Sequence, residues 1–161
     1  MQTKTRLAIT GLALVAAASA ATPAIADGGA EQRQSELRCA HQFDEAQRVD
    51  MESFRDYDLP TWTAGHDDDA ITVLAQGVWF QGRERIAEVL RGHFEGREAT
   101  WTWTELTRAV DGCRTATILY DATYAVPSTG FRQRSYVSVT YTYKRGKWLS
   151  VIDQSTRVAG T

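Results

Sequence analysis

The sequence lacks most features that would reveal a function directly. Its net charge of −2 lacks the basic excess of a nucleic-acid-binding protein. It has only two cysteines, in no Cys-x-x-Cys spacing, which disfavours zinc binding and redox catalysis. It has no Gly-x-Ser-x-Gly motif, P-loop, His-Glu-x-x-His motif or dinucleotide-binding fingerprint. We expect a protein without metal or cofactor, whose site is assembled from residues distant in the chain.

The one long apolar stretch lies at the N-terminus and is too short and too rich in alanine for a membrane span. Lys4 and Arg6 precede it, and Ala24-Ile25-Ala26 forms a small-x-small cleavage site. This arrangement is typical of a signal peptide over residues 1–26, cleaved after Ala26. An uncleaved N-terminal anchor is the alternative. We expect a secreted protein with no stable membrane insertion.

The rest of the sequence contains no internal repeat or low-complexity segment. Residues 27–34 are polar and contain glycine, which predicts a flexible leader. Residues 35–157 are expected to form a single domain, followed by a tail over 158–161.

Export changes the meaning of the two cysteines. In an oxidising compartment Cys39 and Cys113 can close a disulfide that ties the first helix to a hairpin turn. Two buried free thiols are the alternative interpretation.

The first half of the chain carries helical patterns interrupted by a hairpin. Apolar residues at helical spacing predict one helix over 35–56 and another over 83–94. Between them, Asp58 can cap a short helix, and the segments 70–75 and 78–80 predict two short strands.

The second half is predicted to form long strands, because apolar and polar residues alternate over 99–106, 114–126, 132–143 and 148–155. Short turns between the strands predict an antiparallel meander with one buried face. The helices of the first half would cover that face, so the predicted fold class is α+β.

Several short motifs resemble the nuclear-transport-factor-2-like superfamily, and within it the SnoaL-like or SgcJ/EcaC-type proteins. The matching residues are Asp58, His66–Val73, Gln81-Gly82-Arg83-Glu84 with Ile86, and Gly146-Lys147-Trp148 with Asp153 and Ser155. The resemblance implies a strongly curved antiparallel sheet, wrapped by about three helices into a cone with one deep pocket, and usually a homodimer. Members include polyketide cyclases, ketosteroid isomerases, epoxide hydrolases and pure binding domains.

Two positions depart from the ketosteroid isomerases. Leu74 stands where that family keeps its proton-abstracting carboxylate, and Val139 stands about where it keeps a protonated aspartic acid. Isomerase chemistry of that kind is therefore disfavoured.

The resemblance implies that Val151, Asp153 and Ser155 point into the cone. A carboxylate there would be desolvated, which raises its pKa and suits it to general acid–base work. Asp153 is thus the candidate catalytic residue. Alternatively, it caps a backbone group or pairs with Arg132 or Arg134.

Histidines offer a second set of candidates. His66 precedes three aspartates at 67–69, and the pKa of its ring should be raised if it lies close to them. The aspartates lack the calcium-loop spacing, so turn formation on a solvated face is the preferred interpretation. His93 is expected to be exposed or at a boundary.

Aromatic residues are candidates for the core or for the pocket wall. The alternation of residues along the strands places their aromatic side chains on one face of the sheet. Aromatic residues from the first half of the chain add to this set. The candidate ligand-binding residues are Trp62, Trp79, Trp101, Trp103, Tyr120, Tyr124, Tyr141 and Ser155.

Two functions are consistent with these features. The first is a secreted binding domain whose aromatic pocket holds a small apolar or aromatic molecule. The second is a cofactor-free acid–base enzyme, of isomerase, cyclase or epoxide hydrolase type, acting on a small apolar or polyketide-like compound. A pocket with two carboxyl groups, or with an acid in hydrogen-bond reach of a tyrosine, would favour the enzyme. One satisfied aspartate would favour binding.

Overall fold

The structure is a computed structural model, which describes residues 26–159 as four helices and a six-stranded sheet. The predicted signal peptide, up to residue 25, and the last two residues of the predicted tail lie outside the described part. The helices are α1 (Ala26–Arg55), α2 (Leu59–Ala64), α3 (Arg83–Val89) and α4 (Arg91–Gly96). The strands are β1 (His66–Val73), β2 (Trp79–Gln81), β3 (Thr100–Asp111), β4 (Thr115–Val126), β5 (Phe131–Lys144) and β6 (Lys147–Arg157).

The strands lie in the order β2-β1-β6-β5-β4-β3. The four long strands form the predicted antiparallel meander. The α+β class is confirmed, but the sheet is mixed rather than antiparallel throughout, because β1 pairs in parallel with β6. No turn joins these two strands, so local sequence did not set their relative direction.

Local boundaries differ from expectation in three places. Residues 27–34, expected to form a flexible leader, lie within α1. The predicted helix over 83–94 is divided at Leu90 into α3 and α4. The aspartates at 67–69 belong to β1, which begins at His66, directly after Gly65 caps α2.

Two apolar clusters hold the helices against the sheet. In the larger cluster, α1 lays Phe43 and Met51 against residues of β4, β5 and β6 such as Ile118 and Val139. The smaller cluster joins α2, β1, α3 and α4 through Trp62, Ala70, Ile86 and Phe94. Ile86, Phe94, Val137 and Val139 are buried, whereas Leu90 is half-buried.

The predicted disulfide is present between Cys39 and Cys113, whose Cα atoms are 5.5 Å apart. It joins the middle of α1 to the turn between β3 and β4. Among the helices described, none is long and apolar enough to cross a membrane.

Candidate functional site

A cavity of about 280 Å³ lies between the helices and the inner face of the sheet. Asp50 and Phe54 from α1 and Trp62 from α2 form one side of it. The other side is formed by inward residues of β1 and of β3 to β6. Gln76 and Phe131 are the exposed members of the lining, which places the opening beside the end of β1 and the start of β5.

Asp153 lies deep in this cavity, opposite Val139 in the β5–β6 register. Its Oδ1 atom is buried and has no hydrogen-bond partner among the described residues. The side chain keeps some exposure, which its place in the cavity wall explains. Burial raises the pKa of Asp153 to about 7, and the negative charge of Asp50 adds to the increase.

The alternative partners expected for Asp153 are engaged elsewhere or exposed. Arg134 donates from Nε to Asp121 Oδ1 at 2.8 Å, and Arg132 is exposed. Val151 is not part of the cavity wall, contrary to expectation. A bulge in the β5–β6 pairing leaves Val151 without a register partner, and strict alternation fails at a bulge because an extra residue is inserted.

Asp50 supplies a second carboxyl group that the sequence analysis missed. It is buried, and Tyr141 donates its hydroxyl to Asp50 Oδ2 at 2.6 Å. Asp50 lies seven residues after Phe43 and four before Phe54, which puts it on the apolar face of α1. A charged residue on an apolar face is the signal that could have identified it.

His66 pairs with Asp50 rather than with the aspartates at 67–69. Its ring is 2% exposed, and its Nε2 atom lies 3.9 Å from Asp50 Oδ1. Its Nδ1 atom lies 2.7 Å from the carbonyl oxygen of Trp62, so Nδ1 carries a proton and donates it. Two of the aspartates at 67–69 have other partners: Lys144 donates to Asp67 at 2.9 Å, and Arg83 pairs with Asp68 at 2.7 Å.

His93 also lines the cavity, in the half-buried position expected of a boundary residue. Its Nε2 donates to the carbonyl oxygen of Phe54 at 2.7 Å, so Nδ1 accepts from the hydroxyl of Tyr124 at 3.2 Å. The ring stacks on Phe54 with centroids 3.9 Å apart. Burial lowers the pKa of His93, which favours the neutral ring.

The candidate ligand-binding residues divide into two groups. Four of them line the cavity together with Asp153: Trp62, Trp101, Tyr124 and Ser155. The other four, Trp79, Trp103, Tyr120 and Tyr141, lie outside the lining.

One of these four is exposed, and the other three belong to the larger apolar cluster or pack against it. Trp79 is 61% exposed on β2. Trp103 packs against the larger apolar cluster. Tyr120 and Tyr141 are buried within that cluster, where the Tyr120 hydroxyl donates to Gln47 Oε1 at 2.8 Å. The alternation of residues along the strands correctly placed both tyrosines on the inner face of the sheet. It did not show that α1 covers the part of that face where they lie.

Within residues 26–159, no group of three or more His, Cys, Asp or Glu side chains is placed to hold a metal ion. The polar groups in the cavity lining include the carboxyl groups of Asp50 and Asp153, the hydroxyl groups of Thr72, Tyr124, Ser135 and Ser155, and the ring of His93.

The sequence matches no protein-family model, and no curated protein matches it. Solved structures do match. An NTF2-like protein with a cystatin-like fold from Novosphingobium aromaticivorans has TM-score 0.67 and 16% identity, covering 86% of this chain and 93% of that one. An NTF-2-like protein of unknown function from Shewanella oneidensis MR-1 has TM-score 0.62 and 10% identity, with coverage of 73% and 98%. The association domain of C. elegans CaMKII has TM-score 0.60 and 18% identity, with coverage of 76% and 98%.

Proposed function

We propose that this chain, which has the NTF2-like fold, binds a small and largely apolar molecule in its cavity and anchors it through Asp153. The observation that carries the proposal is the buried, unpartnered Oδ1 of Asp153 in the cavity wall. An unpaired buried oxygen costs about 1–3 kcal/mol. A ligand that donates a hydrogen bond to Asp153 removes this cost on binding.

The rest of the cavity suits a flat ligand. Its walls include Phe54, Trp62, Trp101 and Tyr124, which offer ring faces and edges to an aromatic molecule. The volume of about 280 Å³ lies near the lower end of the range of about 300–1,000 Å³ typical of small-molecule sites. A compound of about two rings therefore fits best.

A second function, acid–base catalysis, is favoured by one specific observation. Asp50 and Asp153 both line the cavity, and Tyr141 lies within hydrogen-bond reach of Asp50. These are the features expected of the enzyme. A carboxyl group with a pKa of about 7 exchanges protons efficiently at neutral pH. Leu74 and Val139 both line the cavity as aliphatic residues, which argues against the ketosteroid isomerase arrangement.

Replacing Asp153 by Asn separates the two functions, because Asn keeps the shape and cannot exchange the proton. If Asp153 only anchors a ligand, the affinity for a hydroxyl-bearing aromatic probe such as 4-hydroxybiphenyl should fall by about 10-fold or more. If Asp153 is catalytic, turnover of a cyclase or epoxide substrate should fall by roughly 10²–10⁴-fold.

The exposed Asp69 provides the matched control. Asp69→Asn makes the same change of charge outside the cavity lining and should alter neither quantity. Equal affinities for wild type, Asp153→Asn and Asp69→Asn, without turnover in any of them, would contradict both the anchoring role and the catalytic role of Asp153.

We also propose that the protein is exported and forms a homodimer. Export is supported by the Cys39–Cys113 disulfide, since such bonds persist in oxidising compartments. For the dimer, Tyr136 and Ile152 leave 42% and 41% of their surfaces exposed on the outer face of the sheet. Sedimentation at several concentrations tests the dimer, which Ile152→Lys should weaken.

A further inference from the structure

Several polar groups around the cavity already have partners within the protein. The hydroxyl of Tyr124 is bound to His93, and that of Tyr141 is bound to Asp50. Gln133 donates to the hydroxyl of Ser135 at 3.3 Å. A ligand gains less from a donor or acceptor that already has a partner than from one that has none.

Three buried polar atoms on residues that line the cavity are different. Among the described residues, five buried side-chain polar atoms have no hydrogen-bond partner, and three of the five belong to the cavity lining. These three are Thr72 Oγ1, Trp101 Nε1 and Asp153 Oδ1. Since buried polar groups in folded proteins are nearly always paired, such a concentration in one cavity points to a missing partner.

Two of the three atoms lie together at the inner end. Thr72 and Asp153 are register partners on the adjacent strands β1 and β6, and adjacent strands lie about 4.8 Å apart. Thr72 offers a hydroxyl that donates or accepts, and the carboxylate of Asp153 accepts. A ligand hydroxyl can satisfy both residues at once, because it donates one bond and accepts another.

The third atom lies toward the opening. Trp101 pairs with Tyr124, which pairs in turn with Gln133, two residues from the exposed Phe131. Trp101 is on β3, three strands across the sheet from Asp153, and its row crosses β5 at Gln133, six residues from Val139, the partner of Asp153. Its indole N–H is only a donor, so its partner must be an acceptor.

We infer that the ligand is an elongated, flat aromatic compound with a hydroxyl at its inner end and a hydrogen-bond acceptor, such as a ketone, at its outer end. This inference rests on the proposed binding function and adds the chemical class of its ligand. The inner hydroxyl meets Thr72 and Asp153, and the outer carbonyl accepts from Trp101.

Four biphenyl probes test each end separately: biphenyl, 4-hydroxybiphenyl, 4-acetylbiphenyl and 4-acetyl-4′-hydroxybiphenyl. Calorimetry measures the affinity gained from the hydroxyl and from the acetyl group. In the wild type each group should increase affinity by about 3- to 10-fold, as expected for one net hydrogen bond. The compound with both groups should bind most tightly.

Two variants assign these gains to residues. Thr72→Val keeps the side-chain shape and should reduce the gain from the hydroxyl by at least 3-fold, leaving the gain from the acetyl group unchanged. Trp101→Phe keeps an aromatic ring and should abolish the gain from the acetyl group alone. Trp103→Phe is the matched control on the same strand, outside the cavity lining, and should change neither gain.

The possible outcomes separate this inference from the proposed function. If all four probes bind but the gains are absent, or persist in both variants, the inference is overturned and binding stands. An ordered water between Thr72 and Asp153 would give this result for the hydroxyl. If no probe binds, the proposed function is overturned together with the inference. Each variant tests the contact at one end of the ligand. If one variant fails to fold, the other variant still tests the inference at its own end.

Discussion

The space between α1 and the sheet has a closed part, which is the larger apolar cluster, and an open part, which is the cavity. The polar atoms of aromatic and other buried residues differ between the two parts in whether they have hydrogen-bond partners. In the closed part, polar atoms of the sheet are paired with α1: Tyr120 with Gln47, Tyr141 with Asp50, Tyr143 with Gln42, and Trp148 with the carbonyl of Cys39. In the open part, Thr72, Trp101 and Asp153 keep unpaired atoms. Burial is common to both parts, but three of the five unpaired buried side-chain atoms among the described residues belong to residues that line the cavity.

The difference has an energetic consequence. Paired groups in the closed part contribute roughly 0.5–1.5 kcal/mol each to stability, whereas unpaired groups in the open part cost about 1–3 kcal/mol each. The open part is thus less stable than it would be with apolar side chains. Such a cost is characteristic of binding and catalytic sites, where a ligand supplies the missing partner.

The largest expected effect is in the closed part. Replacing Cys39 and Cys113 by Ser removes a crosslink between residues 74 positions apart and should lower the free energy of unfolding by roughly 3–5 kcal/mol, in the chain-entropy account. Urea unfolding of the mature protein measures the loss. The affinity of the cavity for 4-hydroxybiphenyl should be unchanged under native conditions. A loss of stability below about 1 kcal/mol would contradict this role of the disulfide.

The next effect is in the open part and depends on pH. The pKa of Asp153 rises from its usual 3.8 to about 7 on folding, so between these values the folded state holds a proton that the unfolded state has released. Stability from this group is therefore complete below about pH 4 and is lost as pH rises to 7. The loss is roughly 4 kcal/mol, at about 1.4 kcal/mol per pH unit.

Asp153→Asn removes this dependence, since an amide does not titrate. Unfolding free energies of wild type and Asp153→Asn, compared from pH 4 to pH 8, should diverge by that amount in favour of the variant. Asp69→Asn should follow the wild-type profile. Parallel profiles for wild type and Asp153→Asn would show that the carboxyl is paired in solution.

A smaller effect sharpens the contrast between paired and unpaired hydroxyls. Tyr141→Phe removes the hydroxyl that donates to the buried Asp50 and should cost about 1.5–3 kcal/mol, the value of a hydrogen bond to a charged group. Thermal unfolding at pH 7 measures it. A cost below about 0.5 kcal/mol would indicate that Asp50 finds another partner.

The smallest effect should have the opposite sign. Thr72→Val removes a buried hydroxyl that has no partner and keeps the shape of the side chain. Stability should be unchanged or should rise by up to about 1 kcal/mol, because nothing is left unpaired. The same thermal experiment detects it. A loss comparable to that of Tyr141→Phe would erase the difference between the two parts.

The sequence predicted the fold where the determining interactions are local. Alternation predicted the long strands closely: β4 was expected over 114–126 and runs over Thr115–Val126. The parallel pairing of β1 with β6 and the bulge in the β5–β6 pairing were missed, because both depend on contacts between distant segments.

The candidate site was predicted in part for the same reason. Asp153 was expected in the cavity from the alternation of residues along its strand and from the resemblance, and it lines the cavity. Asp50 was missed because its place in the lining depends on how α1 packs. Tyr120 and Tyr141 were expected in the pocket wall but lie under α1 in the core. Alternation with a period of two residues specifies on which face of a sheet a side chain lies. Only the packing of a helix decides how much of that face it covers and how much lines a cavity.

The most direct measurement of the central claim is a carbon-detected NMR titration of the Asp153 carboxyl, with and without saturating 4-hydroxybiphenyl. In the free protein the pKa of Asp153 should be about 7, and the bound hydroxyl should lower it by stabilising the carboxylate. A pKa near 4 in the free protein that does not change with the probe would contradict the account, because Asp153 would then be already paired and unavailable to a ligand.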